Sequence, residues 1–283
     1  MKIYNSIIIG GGHNALVCAN YLAKSGQKVL IIEALKKFGG LAVDREFFPG
    51  YKANTASALN QFSEKIASDL NLSSHGFNSK TDALKNIALD LNQNHVYINE
   101  DSVSGVSKTD AQNFNQYKSL LKKFADVLKP FWLKSIPRLK NENIKDLFTF
   151  AEIGLKIRLM GKEDMREFLR VFSLPTRDLM DEFFDSDLLK AALSWDALIG
   201  SSQAPRSPNN SILTLLYRMS GKHQGHYYIP NGGIDSLIDA LVSSAEEAGV
   251  EFMSETIVKE IIIENSQNGL KAIGVKTHNS EEI

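Results

Sequence analysis

An α/β fold, with a parallel sheet begun at the N-terminus and a long helical insertion behind it, is what this 283-residue sequence predicts. Three observations carry the prediction. Asn5 to Ile9 is a short β-branched run of the kind that forms a buried parallel strand. Gly10-Gly11-Gly12 follows it directly, and Asn14 to Lys24 then sets Leu16, Ala19 and Leu22/Ala23 along one helix face. From Asp110 to about Gly200 the apolar spacing is helical almost throughout.

The strand and the turn after it form the first element. Gly10, Gly12 and Ala15 fit the G-x-G-x-x-G/A pattern, in which the first glycine permits the tight turn and the second admits a pyrophosphate. The third small residue keeps helix and strand close. His13 and Asn14 open the helix beside this turn, where unpaired N–H groups and a partial positive charge favour phosphate. Gly26 ends the helix, and Lys28 to Ile32 reads as a second strand closing on Glu33. An acidic residue roughly 20 positions after the glycines accepts hydrogen bonds from ribose hydroxyls. It also repels a 2′-phosphate, which argues against NADP. A glycine-rich turn without a ligand is the plain alternative. The strand, helix, second strand and acid at the right spacing favour a Rossmann-like dinucleotide-binding unit.

Composition sets outer limits. With 43% hydrophobic residues the chain can bury a sizeable core in one or two domains, and its net charge of −1 gives no sign of nucleic acid as a partner. The single cysteine, Cys18, cannot form an internal disulfide and reads as a small core residue of the first helix. No stretch approaches the roughly 20 apolar residues of a membrane span, so a cytoplasmic chain is expected.

Further along, Ser57 to Leu72 has helical spacing, and Ile87–Leu91 and His95–Asn99 read as two strands of a second sheet. Helices are expected over 111–128, 144–160, 165–172, 177–184 and 188–199, then 210–219 with Asn209 or Asn210 as cap, and 236–248. Strands follow at 250–252, 257–264 and 270–276. Between Lys118 and Arg170 there are thirteen Lys/Arg against seven Asp/Glu, interleaved with Leu147, Phe148, Leu155 and Leu159. Two readings of this region compete. One is a basic amphipathic surface in peripheral contact with a membrane. The favoured one is a buried helix pair with solvated lysines, because apolar residues fall on nearly every face.

Several segments together resemble one family. They are Ile8 to Ala23, Glu33 with Phe38-Gly39-Gly40-Leu41-Ala42, and Phe48-Pro49-Gly50-Tyr51. Phe184 to Leu193, Pro205-Arg206-Ser207-Pro208 and Pro230-Asn231-Gly232-Gly233-Ile234 complete the set. On these motifs the chain is similar to the FAD-dependent phytoene desaturase-like oxidoreductases. The matching branch holds the carotenoid ketolase/isomerase-like enzymes and the pyridine nucleotide-disulfide oxidoreductase domain protein 2. The resemblance implies FAD as cofactor, with Gly39, Gly40 and Leu41 beside the pyrophosphate opposite the first turn. It implies that the backbone of Val258 holds the adenine. It also implies three segments: residues 1–75 as the N-terminal half of an FAD-binding domain, 76–225 as an inserted α+β, largely helical substrate domain, and 226–283 as the return. Where the family has Ser-Pro-Gly-Thr this chain has Ser207-Pro208-Asn209-Asn210. The family also runs on past the point where this chain ends in mid-hairpin, so a C-terminally truncated form is expected.

No nucleophile–base pair and no metal-spaced cluster stands out, so no catalytic residue and no metal site is assigned. His223 and His226 are the best polar candidates near a substrate cavity, although a loop pair at that spacing is more often structural. The expected function is FAD-dependent oxidation, desaturation or isomerisation of a small hydrophobic, isoprenoid or carotenoid-like molecule, hydride passing to the flavin. One alternative is an inactive or split fragment completed by a homodimer or a C-terminal partner chain. The other is an NAD-dependent dehydrogenase, which fits the first forty residues but not Gly39-Gly40 or the 230–234 segment.

Overall fold

The computed structural model describes residues 2–53, 58–59, 62–78, 83–131, 134, 144–208, 211–266 and 269–283. The chain divides into two compact units, residues 1–82 with 228–283 and residues 83–227. These limits lie a few residues from the expected boundaries at 75/76 and 225/226. Phe77 is buried in the core of the first unit, and Tyr228 exchanges two backbone hydrogen bonds with Leu59, at 2.7 and 2.8 Å.

The first unit begins with β1 (Ser6–Ile9), α1 (His13–Lys24) and β2 (Val29–Ile32), then β3 (Arg45–Phe48), β4 (Tyr51–Ala53) and α2 (Glu64–Asp69). The second unit carries β5 (Asn86–Ala88), β6 (Val96–Ile98) and β7 (Val103–Ser104). Its helices are α3 (Lys108–Leu128), α4 (Ile144–Leu159), α5 (Lys162–Phe172), α6 (Thr176–Phe183), α7 (Asp187–Leu198) and α8 (Ser211–Met219). The chain then returns through α9 (Asp235–Glu247), β8 (Glu251–Met253), β9 (Val258–Ser266) and β10 (Gly269–Thr277).

In the first unit β1, β2 and β8 form a parallel sheet in the order β1-β2-β8, with Ile8 opposite Ile31 and Ile31 opposite Phe252. Every residue of β2 is buried, as a central parallel strand covered on both faces requires. Val29 and Ile31 pack under α1 and α9 with Leu16, Ala19, Leu237 and Leu241. Leu30 and Ile32 pack with Val275 of β10 on the opposite face. A polar clasp joins the two helices. Buried Asn20 donates to the carbonyls of Leu16 and Leu241 at 2.9 and 3.1 Å, and the Ser244 hydroxyl lies 2.9 Å from its Oδ1. Residues 281–283 run back along β10, with Val275 and Ile283 exchanging hydrogen bonds of 2.9 and 3.0 Å.

The second unit sets a three-stranded antiparallel sheet, β5-β6-β7, against the helices. Phe124, Leu179, Met180, Leu189 and Leu216 fill its core. The observed helices start and stop within a few residues of the expected ones. The largest shifts are at the starts of α3 and α5, at Lys108 and Lys162; α3 starts early because the Ser107 hydroxyl caps it, accepting from the Asp110 N–H at 3.0 Å. Of the helix expected over 57–72 only α2 is observed, and residues 57, 60 and 61, like residues 135–143 and the expected cap at 209–210, lie outside the described residues.

Two expectations are corrected. Cys18 is exposed, because the core-facing positions of α1 are Leu16, Ala19, Asn20 and Ala23. The favoured buried helix pair does not describe α4: Leu147, Phe148, Leu155 and Leu159 are 68%, 70%, 58% and 74% exposed. This helix turns Asp146, Thr149 and Glu152 to its half-buried side, where Glu152 pairs with Lys134, and shows its leucines outward.

Candidate functional site: a glycine cradle and an interior cavity

In the first unit, β1 runs straight into the turn that opens α1. Gly10 takes φ +92°, a conformation that favours glycine, and its N–H donates to the Ile32 carbonyl at 2.7 Å. Gly12 has ordinary extended backbone, and a Cβ there would meet no atom within 4 Å. Packing within the protein therefore does not demand glycine at position 12. Open space lies beside Gly12 at the N-terminal end of α1, and no side chain caps that helix or places an acid in its first turn. His13 and Asn14 are exposed at this end and Ala15 is half-buried.

Glu33 closes the turn from below. It is 8% exposed; its Oε2 accepts from the Gly11 N–H at 2.6 Å and its Oε1 from the Leu35 N–H at 2.9 Å. An ionised carboxylate has about four acceptor positions, so two remain open. The Glu33 carbonyl accepts from the Thr256 N–H at 2.9 Å, which draws the β8–β9 connection beside it. Val258 follows two residues later as the first residue of β9, its side chain packed toward Leu30 and Ile32. Its own backbone pairs with Thr277.

The second glycine pair docks on the first. The Gly39 N–H donates to the Gly11 carbonyl at 2.6 Å, and a Cβ on Gly40 would lie 3.2 Å from Gly12 Cα. A Cβ on Gly39 would lie 2.8 Å from Ile238 of α9. Leu41, 65% exposed, follows in a short turn, and Asp235 at the start of α9 accepts from the Asp44 N–H at 2.9 Å. The structure thus gathers Gly10, Gly12, His13, Asn14, Ala15, Glu33, Gly39, Gly40 and Leu41 at one end of the parallel sheet. The sequence reading missed Gly11, whose N–H holds Glu33 and whose missing Cβ leaves room for Phe38. The run of three glycines was the available signal.

The second unit holds a half-open cavity of about 410 Å³ between β5, β6, α3, α7, α8 and the 224–227 segment. His226 lines it and His223 does not; the two are joined by a 2.9 Å backbone hydrogen bond. Asp196 on α7 and Tyr227 face each other there, the Tyr227 hydroxyl donating to Asp196 Oδ1 at 2.5 Å. Burial pushes the Asp196 carboxyl up against the opposing pull of Tyr227, pushes the Tyr227 phenol to about 12 and lowers His226. Asp196 and Tyr227 were missed because 31 residues separate them. Among the described residues no three His, Cys, Asp or Glu side chains gather as metal ligands.

A family model described as flavin containing amine oxidoreductase matches residues 16–283. The chain belongs to this family.

As in the family, FAD is the cofactor, and the cradle fits one: open space at Gly12, an uncapped helix end, and a buried carboxylate with spare acceptor positions. Two relatives match over nearly the whole chain. The chain is 29% identical over 99% of its length to the mouse pyridine nucleotide-disulfide oxidoreductase domain-containing protein 2, and covers 52% of that protein. It is 24% identical over 98% of its length to a limonene dehydrogenase polypeptide of Castellaniella defragrans, covering 48%. The chain therefore spans about half the length of these relatives. Wild-type putrescine oxidase with putrescine bound shares the fold, with a TM-score of 0.59 at 12% identity, over 99% of this chain and 56% of that one.

Proposed function

We propose that the chain is an FAD-dependent oxidoreductase of the phytoene desaturase-like branch, taking hydride equivalents from a hydrophobic, isoprenoid-like molecule. FAD supplies the two-electron acceptor when bound. In this reading the helix end at Gly12, His13, Asn14 and Ala15 faces the pyrophosphate and Gly39, Gly40 and Leu41 border its other side. Glu33 accepts from the ribose hydroxyls, and the backbone at Val258 holds the adenine. The observation that carries the reading is the open position at Gly12 beside the buried Glu33 carboxylate. The name of the Castellaniella relative, a limonene dehydrogenase, supports the isoprenoid substrate. An NAD-dependent dehydrogenase accounts less well for the Gly39-Gly40 dock on Gly11-Gly12.

The outward leucine stripe of α4 supports peripheral contact with a lipid surface, where such a substrate dissolves. Among the described residues no helix is long and apolar enough to cross a membrane.

The test is anaerobic mixing of the FAD-loaded chain with isoprenoid hydrocarbons and alcohols. Bleaching of the flavin bands supports the reading. Retained FAD that none of them reduces contradicts it.

A further inference from the structure

The second unit's cavity holds a buried phenol that no described residue satisfies. Tyr117 on α3 is 4% exposed, and its ring is fixed edge-on between Phe183 and Phe184 at centroid distances of 5.6 and 5.3 Å. It lines the cavity, and among the described residues its hydroxyl makes no hydrogen bond. A buried unpaired hydroxyl costs about 1–3 kcal/mol, so it points to a missing partner.

Asp196 lines the same cavity, its Oδ1 occupied by Tyr227 and its Oδ2 accepting no hydrogen bond among the described residues. Ile87, Ile98, Phe114, Leu193, Leu215 and Met219 supply an apolar part of the wall, beside the polar Asn86, Lys118, Gln224 and His226. The volume of about 410 Å³ falls within the range of small-molecule pockets.

The charges around the cavity select the head group. A carboxylate or phosphate would face Asp196. An ammonium would be drawn to Asp196, but Arg218 already acts on that carboxylate, and Lys118, paired with Asp101 at 3.2 Å, adds a like charge on the wall. A neutral hydroxyl meets both needs, because it accepts from Tyr117 and donates to Asp196 Oδ2.

We infer that this cavity binds an apolar alcohol, its hydroxyl held between Tyr117 and Asp196 and its hydrocarbon body against the apolar wall. The inference names the substrate class for the function proposed above and rests on that reading. Binding itself does not require electron transfer, so the two can fail separately.

The test is a titration of the FAD-loaded full chain with geraniol, the hydrocarbon myrcene and geranylamine, followed by tryptophan fluorescence, since Trp195 lines the cavity. Geraniol is expected to bind at least about tenfold more tightly than either other probe, the value of one well-placed hydrogen bond. Tyr117→Phe is expected to remove that preference and leave myrcene binding unchanged. Asp196→Asn gives a second variant with the same expected direction should Tyr117→Phe fail to fold. Equal affinity for geraniol and myrcene, tighter binding of geranylamine, or unchanged geraniol binding in the variants overturns the inference. If no probe binds while FAD is retained, this site fails and the flavoprotein reading stands. If geraniol binds yet never reduces the flavin, the site stands and its role in the proposed oxidation falls.

Discussion

Gly12 and Gly39 are both glycines of the cradle, but for opposite reasons. Gly39 is glycine because Ile238 lies against it and its φ is +123°, so Gly39→Ala should destabilise the fold by about 1–3 kcal/mol. Gly12 is glycine although nothing in the protein crowds it. Gly12→Ala should therefore change stability by less than about 1 kcal/mol while weakening FAD binding at least about tenfold. Chemical denaturation together with FAD titration of both variants checks this pair. Asp196 gives a residue-level pH prediction. Burial raises its folded-state pKa above the unfolded value, so the folded state takes up its proton first as pH falls. Stability should then decline as pH rises from about 4 through the raised pKa, because the unfolded chain releases the proton earlier. Asp196→Asn keeps an acceptor for Tyr227 and should remove that slope, leaving the variant the more stable of the two at pH 7. Thermal melts of both proteins between acidic and neutral pH measure the difference. Residues of this kind were only partly legible in the sequence. Gly10, Gly12 and Glu33 announced themselves by local spacing, whereas Tyr117, Asp196 and Tyr227 meet only through the packing of α3, α7 and the 224–227 segment.

At the scale of elements, most helices and strands were legible because their apolar periodicity matches one buried face. The exceptions share a physical cause. β3 and β4 form a hairpin whose residues are all exposed, so no buried stripe marks them. α4 has helical periodicity, but composition cannot reveal which face it covers: Glu152 pairs with Lys134 and Ile157 packs on the core, while the leucines face outward. The exposed stripe makes a direct prediction. Leu147→Glu with Phe148→Glu should leave the melting temperature within the small range of surface changes, roughly 0.5 kcal/mol each. The same pair should abolish co-sedimentation with vesicles containing anionic lipid. Binding to vesicles that survives the double change would remove α4 as the contact. The α1–α9 junction offers the contrasting case of a buried polar contact. Asn20→Leu strips the Leu241 carbonyl and the Ser244 hydroxyl of a shared partner and should cost about 1–3 kcal/mol by denaturant titration.

For the whole molecule, the two candidate sites fall in different units: the glycine cradle at the end of the parallel sheet, and the half-open cavity beside the antiparallel one. The order of β1, β2 and β8 explains why the cradle needs both ends of the chain. β8 lies beside β2 only after the second unit has been inserted, and Thr256, just beyond β8, secures the carbonyl of Glu33. The sequence showed the cradle's first half plainly, since strand, turn, helix and acid lie within 33 residues. It showed the second half only through likeness to a family, because the pairing of β8 and α9 with the N-terminal unit spans more than 200 positions. In the proposed reading the cradle holds FAD through Glu33 and the open position at Gly12. The most direct measurement is the visible absorbance of the gel-filtered chain at about 370–450 nm, a generic flavin window, for the natural protein and for Gly12→Ala and Glu33→Gln. Flavin bands that travel with the natural protein and are lost or strongly reduced in both folded variants are the predicted result. Bands undiminished in both variants would contradict the account.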